Sequence, residues 1–249
     1  MNVGIYQNAA SLSALERWQN VVTQNLASSE VSGFKRRTVQ IGANFAGELY
    51  PDTASRPGAG EMLSAFFPKT SSSVNFQQGE IRPTDRELDM VIESDGFFSV
   101  RGADGQVLYT RAGSFQLSPE RTLVTAEGFP VLSDGGDPIE LQPEGGNVIV
   151  NKEGTVVQDE TIIGRLGIYR FDRPGQLIPR AGGYFAASPG AAPMEIEEPG
   201  VLQERIEMSN VAPLREMVDL IAITRAYEVN AKMIQSRDDL MGKTIEAFS

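Results

Sequence analysis

Residues 214–248 read LREMVDLIAITRAYEVNAKMIQSRDDLMGKTIEAF. The run holds no proline and one late glycine, Gly242. Stepping alternately by three and four gives Met217, Leu220, Thr224, Tyr227, Ala231, Ile234, Asp238, Met241, Ile245 and Phe248, and eight of these ten positions are apolar. That spacing predicts one helix with an apolar stripe along its whole length. At 1.5 Å per residue the helix would be roughly 50 Å long. A helix of that length does not lie inside an ordinary domain core, so the stripe needs a partner.

A second helical pattern lies at the other end of the chain. Over residues 3–26 the same stepping gives Ile5, Asn8, Leu12, Leu15, Gln19, Val22 and Leu26, five of them apolar. Ala9, Ala10 and Ala14 favour the helix further. Asn8 and Gln19 interrupt the seam, and a polar residue there fixes register at some cost in stability. On pattern alone, an amphipathic helix lying on a globular core fits equally well. The stripe at each end tilts the balance towards two helices that pair antiparallel, or nearly so. The expected interface side chains are Ile5, Leu12, Leu15, Val22 and Leu26 on the first helix. On the second they are Met217, Leu220, Ile221, Tyr227, Ile234, Met241 and Ile245.

Between the helices the pattern changes twice. Residues 38–80 are read as lacking sustained periodicity and carry loop signals at residues 51–60 and at Ser71-Ser72-Ser73. They are expected to form an extended connector. From Ile81 short apolar runs alternate with turns such as Asp95-Gly96, Asp104-Gly105 and Asp134-Gly135-Gly136. Frequent turns between short β-prone runs predict an all-β domain, a sandwich or barrel-like fold. The expected order is an N-terminal helix (1–30), connector (31–80), β domain (81–208) and C-terminal helix (209–249). Ser209-Asn210 are placed to cap the last helix, with Pro213 in its first turn. The class is mainly β with α.

Composition removes several functions. The 249 residues contain no cysteine and no histidine. Thiol nucleophiles, Ser-His-Asp triads and the usual zinc and haem ligand sets are therefore excluded, and no cofactor is expected. Lys plus Arg number 22 against 33 Asp plus Glu, a net charge of −11. Such a surface repels nucleic acid and anionic membranes. No run of about 20 apolar residues offers a membrane span. Met1 to Asn8 lacks the basic and apolar regions of a cleaved signal peptide.

Carboxylates are abundant, which raises the idea of a carbohydrate-cleaving acid pair. Glu87, Asp89, Glu93 and Asp95 would share one face of a regular strand. The alternation favours a simpler arrangement, with Leu88, Met90 and Ile92 facing the core and the acids facing water. Asp134 to Asp137 lacks calcium-loop spacing and reads as a turn. Lys35-Arg36-Arg37 is too short a basic cluster for a nucleic-acid site.

Several stretches, taken in order, resemble the flagellar rod and hook protein family. Asn25-Leu26-Ala27 followed by Gly33-Phe34-Lys35 is similar to its N-terminal signature. Asp95-Gly96-Phe97-Phe98 and the run containing Tyr109, Arg111, Gly113 and Phe115 resemble its central motifs. Ser209-Asn210-Val211 and Arg225-Ala226-Tyr227-Glu228-Val229-Asn230 resemble its C-terminal signature. The length, and Gly4-Ile5-Tyr6 near the start, lean towards the proximal rod type over the distal one. The resemblance implies a non-enzymatic subunit of the basal-body rod, which crosses the periplasm. It implies self-assembly, and assembly with other rod and hook proteins, through the terminal helices into a torque-transmitting tube. It also implies passage through the flagellar type III export apparatus without signal cleavage. The rival readings are a secreted β-rich carbohydrate-active enzyme and a dimeric binding module.

Overall fold

A computed structural model describes residues 3–49, 63–143 and 145–247, without the side chains of 3–6, 43–49, 63–68, 241, 244, 245 and 247. The interface positions expected at Ile5, Met241 and Ile245 therefore lie outside the described residues. The chain divides into two compact units. One comprises Met1–Leu26, Arg37–Ser73 and Ala212–Ser249, and the other Ala27–Arg36 and Val74–Val211.

The first unit holds both helices. Helix α1 spans Val3–Ala27, and α2 spans Pro213–Ala247. Between them in sequence lie β1 (Arg37–Leu49) and β2 (Leu63–Val74), which pair as a two-stranded sheet. The segment expected to be an extended connector thus contains two partnered strands. Val39, Ile41, Ala43 and Phe45 alternate with Thr38, Gln40 and Asn44, so a two-residue period does mark β1 in the sequence; of these, Val39 is half-buried and Ile41 is exposed.

Helix α2 begins where Pro213 supplies a preset φ and has no N–H to satisfy. The Ala212 carbonyl accepts from the Arg215 and Glu216 amides. Glu216 places an acid in the first turn, where the helix dipole favours it. Ser209-Asn210 do not take the capping role expected of them. Ser209 Oγ accepts the Val211 amide, and the Asn210 side chain is engaged within the β unit.

The β unit is built from short strands. In order they are β3 (Ile81–Pro83), β4 (Met90–Ile92), β5 (Phe97–Arg101), β6 (Val107–Thr110), β7 (Phe115–Leu117), β8 (Leu123–Thr125), β9 (Val148–Val150) and β10 (Thr155–Gln158). They continue as β11 (Thr161–Arg165), β12 (Ile168–Arg170), β13 (Ile178–Pro179), β14 (Tyr184–Ala186), β15 (Met194–Glu195), β16 (Val201–Gln203) and β17 (Arg205–Glu207). The largest sheet has six strands in the order β13-β14-β6-β5-β12-β15, all antiparallel. A three-stranded sheet β11-β10-β9 and the pairs β16-β4, β17-β3 and β7-β8 complete the unit.

The six-stranded sheet separates two cores. Phe98, Val100, Leu108, Ile168, Tyr184 and Ala186 enter the larger core, while Phe97, Tyr109 and Phe185 enter the smaller. These residues alternate along the strands, as a two-residue period requires. Phe97 and Phe98 are adjacent and both buried because each serves a different core.

The acid-bearing strand differs from expectation. Met90, Val91 and Ile92 are all buried, and Asp89 is 1% exposed. β4 pairs with β16, and the Met90 amide donates to the Gly113 carbonyl at 2.8 Å. Both faces are covered, so Asp89 does not point to water with Glu87, Glu93 and Asp95.

Candidate functional site

In the β unit, residues from both ends of the unit's sequence converge on one buried cluster. Lys35 is 2% exposed, and its Nζ donates to Glu207 Oε1 at 2.5 Å and to the Gln77 carbonyl at 2.8 Å. Glu207 Oε1 also accepts the Gly79 amide at 2.9 Å. Glu207 Oε2 lies 3.7 Å from Arg111 Nη1. Arg111 donates to the Ile92 and Ser94 carbonyls at 3.0 and 2.6 Å and stands over the Phe97 ring. One buried carboxylate thus faces two buried cations. Burial lowers the pKa of Lys35 and of Arg111, and the Glu207 charge opposes both shifts. With its donors directed at fixed carbonyls and a carboxylate, the cluster is a structural tie.

The motif glycines admit this geometry. Gly33 has φ +67°, and a Cβ there would lie 2.2 Å from the Arg111 carbonyl carbon. A Cβ on Gly113 would lie 1.7 Å from the Met90 carbonyl oxygen. Both are sites of close backbone approach that only glycine tolerates. Asn210 joins two segments: its Oδ1 accepts the Arg36 amide at 2.6 Å, and its Nδ2 donates to the Asn75 and Gln77 carbonyls. Phe34 is buried; Phe115 is fully buried and packs edge-on against Phe98 at 5.1 Å. Tyr109 packs edge-on against Phe171 at 4.8 Å, while Gly96 is buried and Asp95 exposed.

In the helical unit, Asn25 is fully buried. Its Nδ2 donates to the Arg37 carbonyl at 2.7 Å and to Glu216 Oε2 at 3.0 Å, and its Oδ1 accepts the Arg37 amide at 2.9 Å. The last turn of α1 therefore meets the first turn of α2. Further along, Leu15, Val22 and Ile223 form an apolar cluster with Trp18, Leu220 and Ala226. Leu12, Leu26 and Ile234 are half-buried, and Ala27 is exposed.

The face that α2 buries is not the stripe counted from Met217. It runs through Glu216, Leu220, Ile223 and Ala226. Met217, Ile221 and Tyr227 are exposed, as are Leu214, Val218, Val229, Met233 and Leu240. Arg225 and Glu228 also face solvent, and Asn230 Nδ2 donates to the Ala226 carbonyl of its own helix. The motif residues thus fall into two kinds. Those of the β unit and Asn25 are mostly buried ties, whereas Arg225, Tyr227 and Glu228 are presented on the surface of α2.

Glu207, Glu216 and Ile223 are the residues that sequence reasoning missed. Glu207 was hidden among Glu195, Glu197, Glu198 and Glu204, which look identical to it in sequence. Ile223 lies off the stripe because that stripe took Thr224 at the same turn. Among the described residues, no helix is long and apolar enough to cross a membrane.

Comparison with known proteins follows the same two regions. Residues 91–158 match the family model for the flagellar hook protein FlgE/F/G D1 domain, and residues 202–247 match that for the flagellar basal body rod FlgEFG protein C-terminal region. The flagellar basal-body rod protein FlgF of Caulobacter vibrioides is 32% identical over 246 residues, covering 99% of this chain and 98% of that protein. FlgF of Rhizobium meliloti is 30% identical, covering 100% and 98%. The flagellar basal-body rod protein FlgG of Borreliella burgdorferi is 30% identical, covering 96% of each chain. Alignment along nearly the whole length places the chain in the flagellar basal-body rod protein family, of FlgF or FlgG kind.

Proposed function

We propose that this chain is a structural, non-enzymatic subunit of the flagellar basal-body rod, of the FlgF type. It polymerises with its own copies and with other rod and hook proteins through its terminal helices. The resulting tube crosses the periplasm and transmits torque to the hook. Delivery is through the flagellar type III apparatus. The FlgF reading rests on Gly4-Ile5-Tyr6, on length and on the near-complete alignment with FlgF relatives.

One observation carries the assembly reading. Leu214, Met217, Val218 and Ile221 repeat at i, i+3, i+4 and i+7 on α2, and are 80%, 47%, 64% and 55% exposed. Such an apolar stripe on a helix seeks a partner helix. The face of α2 that meets α1 is a different one, so the stripe is free for a neighbouring subunit. A non-closing, head-to-tail contact of this kind generates a helical filament. Tyr227 and the half-buried Leu12, Leu26 and Ile234 are proposed to join the interface. Leu15, Val22 and Leu220 act first within the chain.

The test is the double variant Val218→Asp, Ile221→Asp in the full-length chain. Because both residues are exposed, the monomer is expected to keep its far-UV circular dichroism and its thermal midpoint. Cells carrying only the variant are expected to lack complete rods and motility. Normal swimming would remove the assembly role of α2, and a stable closed dimer in sedimentation would favour a binding module.

A further inference from the structure

A pocket of about 400 Å³ lies in the β unit against the smaller core. The strand register explains its walls. Tyr169 of β12 pairs with Phe97 of β5 in antiparallel sense, so the chain leaving β12 runs back past the residues that precede β5. Phe171-Asp172 thereby line the same pocket as Asp95 and Phe97. Phe76 closes a further side: its ring meets Phe97 edge to face at 5.7 Å, and Phe97 meets Phe171 at 5.9 Å. Phe97 and Phe171 are buried and Phe76 is half-buried, whereas Asp95 and Asp172 are exposed. The apolar wall is therefore aromatic, and the charge at the mouth is carboxylate.

Arg111 also lines the pocket, but its charge is already engaged. Its Nη atoms donate to the Ile92 and Ser94 carbonyls, and Glu207 stands beside it. Lys35 and Arg111 share Glu207, and Asp95 acts on both as a further opposing charge. Adding Asp172 leaves the group with one negative charge in excess. Among the described residues neither Asp95 nor Asp172 is held in an ion pair.

We propose that this pocket receives an arginine side chain presented by a basic partner protein. A guanidinium is planar, so it stacks on an aromatic ring and forks onto a carboxylate, which an ammonium does less well. Phe97 already carries one guanidinium, that of Arg111, 5.4 Å from its ring centre. An anionic ligand would meet Asp95 and Asp172, and a purely apolar one would strip water from them without replacing it. Charge also selects the owner of the arginine. A second copy of this chain, at net charge −11, brings more carboxylates to an acidic mouth. A protein of opposite charge is drawn to it. The site belongs to the β unit and does not use the exposed stripe of α2.

The experiment places 4-fluorophenylalanine at position 76 of the full-length chain and follows its fluorine resonance. Acetyl-arginine methylamide is expected to shift the resonance saturably, with half-saturation at about 1 mM. The citrulline analogue, equal in shape but uncharged, should bind roughly tenfold more weakly. Asp172→Asn should weaken the arginine probe roughly fivefold and leave the thermal midpoint unchanged, because Asp172 is exposed. Asp95→Asn should weaken it comparably. No saturable shift, or an equal response to the citrulline analogue, overturns the proposal. A tighter response to spermidine assigns the pocket to a free polyamine. A shift on concentrating the chain alone, abolished by Asp172→Asn, assigns it to a second copy. Either of these results also overturns the proposal.

Discussion

Lys35 and Glu207, 172 residues apart in sequence, are joined by an Nζ to Oε1 hydrogen bond of 2.5 Å between two side chains closed off from water. The bond ties the loop after α1 to β17, the last strand before α2. Arg111 approaches the other carboxylate oxygen, so a single anion serves two cations. Removing the anion and removing one cation are therefore not equivalent. Glu207→Gln leaves two buried cations and is expected to destabilise by about 3–5 kcal/mol. Lys35→Met leaves Glu207 facing Arg111 and is expected to cost clearly less. Urea denaturation of the two variants measures the difference, and equal losses would remove this account of the cluster.

Tyr184 gives a pH-dependent prediction. Its hydroxyl donates to Glu127, and burial together with that bond raises its pKa above the ordinary 10.0. A raised folded-state pKa means the unfolded chain loses the proton first. The stabilisation is therefore complete below pH 10 and declines as the pH rises above it. Tyr184→Phe removes the titrating group. The stability difference between wild type and variant should be constant from pH 7 to about 10 and shift against the wild type beyond it. Urea midpoints across that range test the sign, and a difference that stays flat to higher pH contradicts it.

These two predictions rest on different kinds of residue, and they mark what the sequence could convey. The strand-rich middle, the helical ends and the turns at Asp104-Gly105 and Asp134-Gly135-Gly136 were readable because spacing and backbone preference are local, whereas Asp95-Gly96 joins strands of different sheets and Gly96 has no positive φ. Pairing of β1 with β2 was missed although Val39, Ile41, Ala43 and Phe45 alternate with polar residues in β1, because its partner strand carries Ser71-Ser72-Ser73, which reads as a loop. The roles of Glu207 and Asp89 were not readable. Their burial depends on what other strands bring over them, and an acid among many acids carries no mark of that. The motif Gly33-Phe34-Lys35 was found through resemblance. Its physical reason, close approach to the Arg111 backbone and a buried ammonium, becomes visible only in three dimensions.

Asn25 supplies both donors and the acceptor that hold Arg37 and Glu216. Asn25→Asp removes the donors and sets a second carboxylate against Glu216. The expected loss at pH 7 is about 2–4 kcal/mol. Like charges raise the folded-state pKa values of such a pair, so the loss is full above the ordinary carboxylate range and relieved as pH falls towards about 4. Urea midpoints of wild type and variant should converge on acidification. A gap independent of pH would mean that shape, rather than charge, governs the site.

Two isoleucines on α2 separate folding from assembly. Ile223 is 1% exposed and packs with Leu15 and Val22, while Ile221, two residues earlier, is 55% exposed. Two residues along a helix turn a side chain through about 200°, to the opposite side. Ile223→Ala opens a cavity between α1 and α2 and is expected to destabilise the helical unit by about 2–5 kcal/mol. Ile221→Ala removes exposed methyl groups and is expected to change monomer stability by no more than about 0.5 kcal/mol. Thermal melts followed by far-UV circular dichroism measure both. In cells the order should change, because a subunit interface reads the surface that the monomer leaves open. Ile221→Ala should then weaken motility although the purified chain is as stable as wild type. If Ile221→Ala instead lowers the melting temperature as much as Ile223→Ala, the face assigned to neighbouring subunits belongs to the monomer's own core.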